Sequence, residues 1–452
     1  MKAGFAKTDI TPRVGVELAG FGPFLNRHSI GVRDRLWARA MAVEQDGKAM
    51  VLISCDLIGV TRSITARVRQ LVNESTRLPP ETIMVHCTHT HSGPNVATYH
   101  GWGEPDAPYY EILPQRIADA AIRAVGALQE ATLFHAEVPC EGIGLNREYD
   151  KDAPPLDEVL RESWRPAKPE LTDTTCHVAR FESGGKIGGF FSYFGCHPVV
   201  CCQTTRHIHG DYCGVATNLL EREHPGSVGL FLQGAQGDVN SCVVHKPEPE
   251  SLLALDVIAS RYARAVRRGL AEARPVRVDS LACVLQEVSF SRRKLDFEKL
   301  HARLAEQEAI MHAPGASDTD SKVRMATVNA LSFRNWIAAA EAGKGKLTAP
   351  PTEIQGFRLG PLLLLASPFE IFQAIKNDIK ARTGIPMTLV MGLTNDTLGY
   401  APDHTAAARG GYAADVVPLI IGTLLFACIH DELVEQLTAL ATVLQNTSGR
   451  KP

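Results

Sequence analysis

Residues 82–94 read TIMVHCTHTHSGP, an apolar run that passes without a break into three histidines. Thr82 to Val85 has the length and branching of a buried strand, and His86, His89 and His91 follow where it ends. The same punctuation recurs along the chain. Strand-like runs at Gly188–Phe194, Val228–Leu232, Pro361–Leu365 and Met387–Met391 end in Cys196 and His197, in Gln233 and Asp238, in Glu370, and in Asn395 and Tyr400. A further apolar run, Ala49–Ser54, precedes Asp56. Helical patterns at Arg116–Leu128, around Leu300, Leu304, Ile310 and Met311, and along Leu433, Leu437, Leu440 and Leu444 lie between and after them. The expected fold class is α/β, with mixed β-sheets flanked by helices and the active site at the strand carboxyl ends, where ligand sites of such sheets gather.

Composition narrows the function. The chain has 452 residues, 47 basic against 50 acidic for a net charge of −3, and 45% hydrophobic residues. No broad basic field exists to hold nucleic acid or anionic lipid, so neither a nucleic-acid nor a membrane partner is expected. The longest apolar run, Val416 to Ile429, contains Pro418 and Gly422 and falls short of the roughly 20 residues that span a bilayer, so it is expected to be a buried core helix. The N-terminal stretch is interrupted by Lys7, Thr8 and Asp9, unlike an export signal. Eleven cysteines, an odd number with no CxxC spacing, argue against a disulfide framework. The expected location is cytoplasmic. No internal repeat or low-complexity tract is evident. The expected organisation is one catalytic domain over 1–452, with 291–352 forming a helical insertion or lid, inside which the polar stretches 313–321 and 343–352 bracket a helical segment as surface loops, and a frayed tail after the last helix.

The strand-end side chains form a metal-site pattern. In extended backbone, residues two apart point to one side, so His89 and His91 can address one ion. His197 supplies another imidazole, and a carboxylate at Glu370, just after PLLLLASPF, is costly to bury without a cation. A competing pair, His207 and His209, lies in TTRHIHGDY. Cys196, Cys201, Cys202 and Cys213 surround His197 and are best read as small buried hydrophobes. The GAQG segment at 234–237 lacks a phosphate loop's Lys-Ser/Thr ending and reads as a tight turn presenting Asp238. Asp56 and Asp238 can orient imidazoles through their second ring nitrogen or cap helices.

Taken together, AGFAKTDITPRVGVELAGFG, LISCDL, THTHSGP, LNRE, GCHPVV, HGDYCGVATNLLE, QGAQGDVN, SPFEIF and NDTLGYAPDHTAAARGGY resemble, in order, the neutral/alkaline non-lysosomal ceramidase family, in its catalytic domain. That resemblance implies a zinc amide hydrolase with Zn2+ bound by His89, His197, Glu370 and Tyr400. It also implies that His91, Arg147 and Tyr412 contact the substrate or the activated water. One departure stands out. The family's Gly-Asp-x triplet is followed by a serine implicated in catalysis, whereas Gly237-Asp238-Val239 is followed by Asn240, with Ser241 one place late. A one-residue shift turns a side chain away in extended backbone, so no nucleophile role carries over to Ser241. The reading is therefore a zinc-dependent hydrolase that cleaves the C–N bond of an N-acyl amide or related small soluble substrate with metal-activated water, rather than a membrane sphingolipid. The alternatives are a metal-dependent ester or lactone hydrolase, and a catalytically weak metal- or ligand-binding protein. Substrate identity, physiological metal and oligomeric state are not set by the sequence.

Overall fold

The computed structural model describes residues 1–96, 99–150, 154–294, 296–343 and 349–446. It is a mixed α/β protein whose three larger sheets repeat one topology. In the first, the hairpin Trp37–Gln45 and Lys48–Cys55 leads through the helix Arg62–Thr76 to a parallel edge strand, Ile83–Cys87. In the second, Thr175–Ser183 and Lys186–Phe194 lead through Asp211–Glu223 to Val228–Gln233. In the third, Thr352–Leu359 and Leu362–Ala366 lead through Gln373–Thr383 to Thr388–Met391. This structural repeat has no counterpart in the sequence because each hairpin needs only a tight turn between two largely buried strands. Asp46-Gly47 and Gly184-Gly185 supply positive φ at both turn positions, the twist that suits two-residue hairpins.

The sheets share one core. Leu52 and Met84 from the first, Phe191 and Leu230 from the second and Leu364 and Met391 from the third belong to a single buried cluster. Each outer face is covered by helices. Ile64 and Leu113 pack on the first sheet, Tyr212 and Tyr262 on the second, and Ile375 and Leu437 on the third. Burial on both faces explains why the parallel strands read as continuous apolar runs.

Polar side chains stitch the sheet ends together. His86 Nε2 accepts the Gln233 N–H at 2.8 Å, and its Nδ1 meets Thr394 Oγ1 at 3.1 Å. Asn395 Oδ1 accepts the Val85 N–H at 3.0 Å, while its amide donates to Gln355.

Several elements differ from expectation. The helix expected at 116–128 begins at Ala107, capped by Asp106 accepting the Tyr109 N–H, and ends at Gly126. The run 416–429 is not one helix. A π-turn at Tyr412–Val416 and a short helix, Val417–Ile421, stop at Gly422 (φ 74°), and the next helix starts at Ile429. Between the antiparallel partners Leu281–Val288 and Thr352–Leu359 stand two helices, Phe297–Met311 and Ser321–Ala342. The second is fixed to the segment after Tyr412, with Ser332 Oγ donating to Leu419 O at 2.5 Å and Trp336 Nε1 to Gly422 O at 3.4 Å. Residues 344–348 of the second polar stretch and the tail beyond 446 lie outside the described residues. Among the described residues no helix is long and apolar enough to cross a membrane. All eleven cysteines are free, and nine, including Cys196, Cys201, Cys202 and Cys213, are buried.

Candidate metal centre

His89 stands just past the strand Ile83–Cys87 with φ 73°, a backbone conformation uncommon outside glycine. The extended-backbone argument for His89 and His91 therefore does not describe the segment, yet their rings meet edge-on with centroids 4.8 Å apart. The His89 Nδ1–H donates to Ile58 O at 2.6 Å, which leaves the Nε2 lone pair facing inward. His197 is held alike, with Nδ1–H donating to Gln236 O at 2.6 Å. Glu370 and Tyr400 are direct partners across a two-stranded parallel ladder, Glu370–Ile371 with Tyr400–Ala401, which sets their side chains next to each other.

These four groups converge. Glu370 Oε2 is 2.8 Å from His197 Nε2 and 3.3 Å from His89 Nε2, and Tyr400 Oη is 3.4 Å from His197 Nε2. All four residues are buried. Burial pulls the His197 imidazolium down to about 4, in spite of Glu370. Burial would raise the Glu370 carboxyl, but the imidazoles of His89 and His197 more than offset it and hold the group well below the ordinary carboxylate range. At neutral pH a carboxylate and an imidazole lone pair thus face each other at 2.8 Å with no proton to share. A divalent cation resolves that conflict. For bonds of about 2.0–2.2 Å, tetrahedral ligands stand roughly 3.3–3.6 Å apart, which matches the 3.3 and 3.4 Å spacings, and the 2.8 Å one would have to open to admit an ion.

The other residues singled out in the sequence surround this point. His91 brings its ring within reach of both imidazoles, the nitrogens of His89, His91 and His197 lying within 4.8 Å of one another. Both His91 ring nitrogens lack a partner among the described residues. Arg147 stacks its guanidinium 4.8 Å from the Tyr400 ring centroid and 5.9 Å from that of Tyr412. Burial raises the Tyr400 phenol well above its usual value, with Arg147 opposing. Tyr412 is half exposed and sits at the rim.

His89, His91, Glu370, Tyr400 and Tyr412 line one pocket of about 350 Å³ with Gly20, Phe21, Ile58, Tyr99, Trp102, Val417 and Ile420. The aromatic wall from Tyr99 and Trp102 was not visible as a site in the sequence. Its signal was YHGWG, two rings flanking glycines, of which Gly101 and Gly103 take positive φ.

Other candidates lie elsewhere. Among the described hydrogen bonds, Asp56 accepts from Trp37 N and Arg39, and neither it nor Asp238 touches the imidazoles, whose Nδ1 atoms are held by backbone carbonyls instead. Asp238 caps the helix Gln373–Thr383 through the Gln373 N–H at 2.9 Å and accepts from Asn146 at 3.0 Å. Ser241 is buried and accepts the Val243 N–H, while Asn240 pairs with Leu145. His209 Nδ1 accepts the Asp211 N–H, and His207 pairs with Glu248, so the second HxH pair faces its own surroundings.

Fold and site together define an α/β protein with a pocket of imidazoles, a carboxylate and phenols of the type that holds a divalent metal. Residues 1–247, more than half of the chain, match the family described as neutral/alkaline non-lysosomal ceramidase, N-terminal. The chain belongs to that family. It is 24% identical to the neutral ceramidase of Pseudomonas aeruginosa over 260 residues, 54% of this chain and 37% of that protein. It is 25% identical to neutral ceramidase A of Dictyostelium discoideum over 230 residues, 46% of this chain and 31% of that one. Both matches thus span well under half of those relatives. The crystal structure of the Pseudomonas aeruginosa neutral ceramidase shares the fold, with a TM-score of 0.75 at 19% identity over 99% of this chain and 74% of that chain. A ceramidase complexed with C2 gives 0.76 at 19% identity, over 99% and 75%.

Proposed function

We propose that the chain is a zinc-dependent hydrolase that cleaves the C–N bond of an N-acyl amide. The observation that carries this reading is the pairing of the Glu370 carboxylate with two carbonyl-pinned imidazoles at 2.8 and 3.3 Å. His89, His197, Glu370 and Tyr400 would hold the ion. When bound, such an ion supplies a Lewis acid for the amide carbonyl and makes water nucleophilic near neutral pH.

The chain's own residues do the rest. His91, with both ring nitrogens unpartnered, takes a proton at one nitrogen and returns it to the leaving amine. The Arg147 guanidinium, with a buried Nη2 lacking a partner, offsets negative charge on the carbonyl oxygen, and the Tyr412 hydroxyl donates from the rim. Trp102, Val417 and Ile420 take up the apolar part of the substrate and exclude water. Ser241, turned toward Val243, has no place in this scheme, so water rather than serine is the nucleophile. The pocket is small and walled by the rings of Phe21, Tyr99, Trp102 and Tyr412, which supports a small or medium soluble amide. A cytoplasmic location is consistent with such a substrate.

Elemental analysis of wild type and His197→Ala, with turnover of short N-acyl amides and a short-chain ceramide, tests the reading. The expected result is zinc that falls by one equivalent in the variant together with loss of amide hydrolysis. Full turnover in a wild-type protein stripped of metal would overturn it, and faster cleavage of the ceramide than of simple amides would overturn the assignment of substrate class.

A further inference from the structure

Apart from the pocket, the described residues hold a second group with two histidines, His135, Glu137 and His177, whose candidate ligand atoms lie within 4.8 Å of one another. His135 and Glu137 are two apart on the strand Thr132–Pro139, and His177 is the direct partner of Glu137 on Thr175–Ser183. Residues at i and i+2 share a face, and a directly opposed residue shares it too. His135 Nε2 is 3.3 Å from His177 Nδ1, and His177 Nδ1 is 3.6 Å from Glu137 Oε1. Bonds of about 2.0–2.1 Å to a tetrahedral ion place neighbouring donors roughly 3.3–3.4 Å apart. The two rings are stacked, with centroids 5.4 Å and planes 26° apart, whereas those of His89 and His197 meet at 71° with centroids 5.1 Å apart.

We propose that His135, Glu137 and His177 form a second site for a divalent cation of the zinc class, which fastens strand 132–139 to strand 175–183. Its donor set, two imidazoles and a carboxylate, suits zinc, with the fourth position left to water. Both imidazoles are buried, whereas the Glu137 side chain is 47% exposed, so an ion has access from solvent. Burial lowers His135 to about 4 and His177 to about 3, which keeps both rings in the neutral, ligating form at pH 7.

Nearby positive charge opposes the ion only in part. Lys376 is paired with Asp173 at 3.0 Å. Lys380 and Arg274, the latter opposite His135 on Arg274–Val276, are partly or fully exposed, where solvent screens them. The buried Cys201, His209 and Asp211 group lacks this geometry's chief merit. His209 Nδ1 already accepts the Asp211 N–H, so Nε2 carries the ring proton and has no lone pair to offer.

The test is a zinc titration of the full-length protein by calorimetry at pH 7.5, after stripping with chelator. His197→Ala removes the proposed catalytic site and leaves the second to be counted alone. About one equivalent is expected in His197→Ala and none in His197→Ala combined with His135→Gln. In case His135→Gln disturbs the sheet, Glu137→Gln, on the half-exposed side, is expected to keep the wild-type melting curve without metal while weakening the same binding step at least tenfold. Equal zinc content in the His197→Ala protein with and without His135→Gln, or unchanged affinity in Glu137→Gln, would overturn the proposal. If instead His197→Ala leaves the metal content untouched and His135→Gln lowers it, the catalytic reading fails and this one stands.

Discussion

Arg27 offers the sharpest test of how the pocket is held. It is 3% exposed, and its guanidinium donates to four carbonyls, Ala19 O at 2.9 Å, Gly20 O at 3.4 Å, His91 O at 3.1 Å and Thr205 O at 3.1 Å. It thus ties the Gly20–Phe21 wall to the backbone of His91 and stands 4.9 Å from the Phe21 ring centroid. Charge-assisted bonds contribute about 1.5–3 kcal/mol each, so the three shorter ones amount to about 6 kcal/mol. Burial opposes this. It lowers the guanidinium from its ordinary value to about 10, which at 1.36 kcal/mol per unit is a cost of about 3 kcal/mol. Arg27→Met, which removes the bonds and the buried charge together, should therefore destabilise by about 3 kcal/mol in urea unfolding. With His91 released, amide turnover should fall by about 10²-fold, the loss that a misplacement of about 1 Å brings. Arg27→Lys keeps a buried charge but cannot span all four carbonyls, so it should be no more stable than Arg27→Met. A change below about 0.5 kcal/mol in Arg27→Met, or full stability in Arg27→Lys, would refute the reasoning.

Burial raises Asp238 to about 6 against the Gln373 N–H bond, so the folded state binds its proton more tightly than the unfolded chain. Its contribution is present in full below about pH 4 and is lost as pH rises through 6, a swing of about 3 kcal/mol. The stability of Asp238→Asn relative to wild type, followed by urea unfolding in chelator from pH 4.5 to 8, should therefore improve with pH, and a constant difference would contradict this origin. At Gly20 (φ +94°) a Cβ would lie 2.5 Å from His91 Nδ1, whereas at Gly47 (φ +75°) it would meet nothing within 4 Å. Gly20→Ala should cut turnover at least tenfold, while Gly47→Ala should cost about 1 kcal/mol of stability with turnover intact, and equal turnover in the two variants would exclude the contact.

The strands were legible because three parallel pairs are buried on both faces and so appear as unbroken apolar runs. The segment 412–429 was not. Its apolar content satisfies a core helix, but Gly422 ends the short helix and the π-turn holds Tyr412 at the rim, consequences of backbone conformation that hydrophobic spacing does not record. The helix Ala107–Gly126 starts nine residues before the expected Arg116 and carries Pro114 within it. Pro108 occupies the first turn, where no intrahelical N–H is required. Arg27 was also passed over, since nothing in LNRHS announces a guanidinium buried among carbonyls.

Position alone did not sort the strand-end polar residues into scaffold and site. His86 lies within the strand Ile83–Cys87 and His91 just past it, yet the two nitrogens of His86 are taken by Gln233 N and Thr394 Oγ1, whereas those of His91 have no partner among the described residues. Gln233 behaves like His86, its side chain accepting from Cys196 N and donating to Thr88 O and Cys196 O. Glu370 behaves like His91, because its nearest groups are lone pairs rather than donors. A buried polar group costs free energy until it is satisfied, so one whose partners are backbone amides and carbonyls is fixing the fold. One left facing another acceptor is waiting for a cation or a substrate. That distinction depends on atoms brought together from strands more than a hundred residues apart, and so it belongs to the tertiary structure. It also separates the centre around Glu370 from the Cys201, His209 and Asp211 group, where Asp211 N–H already occupies the lone pair an ion would need.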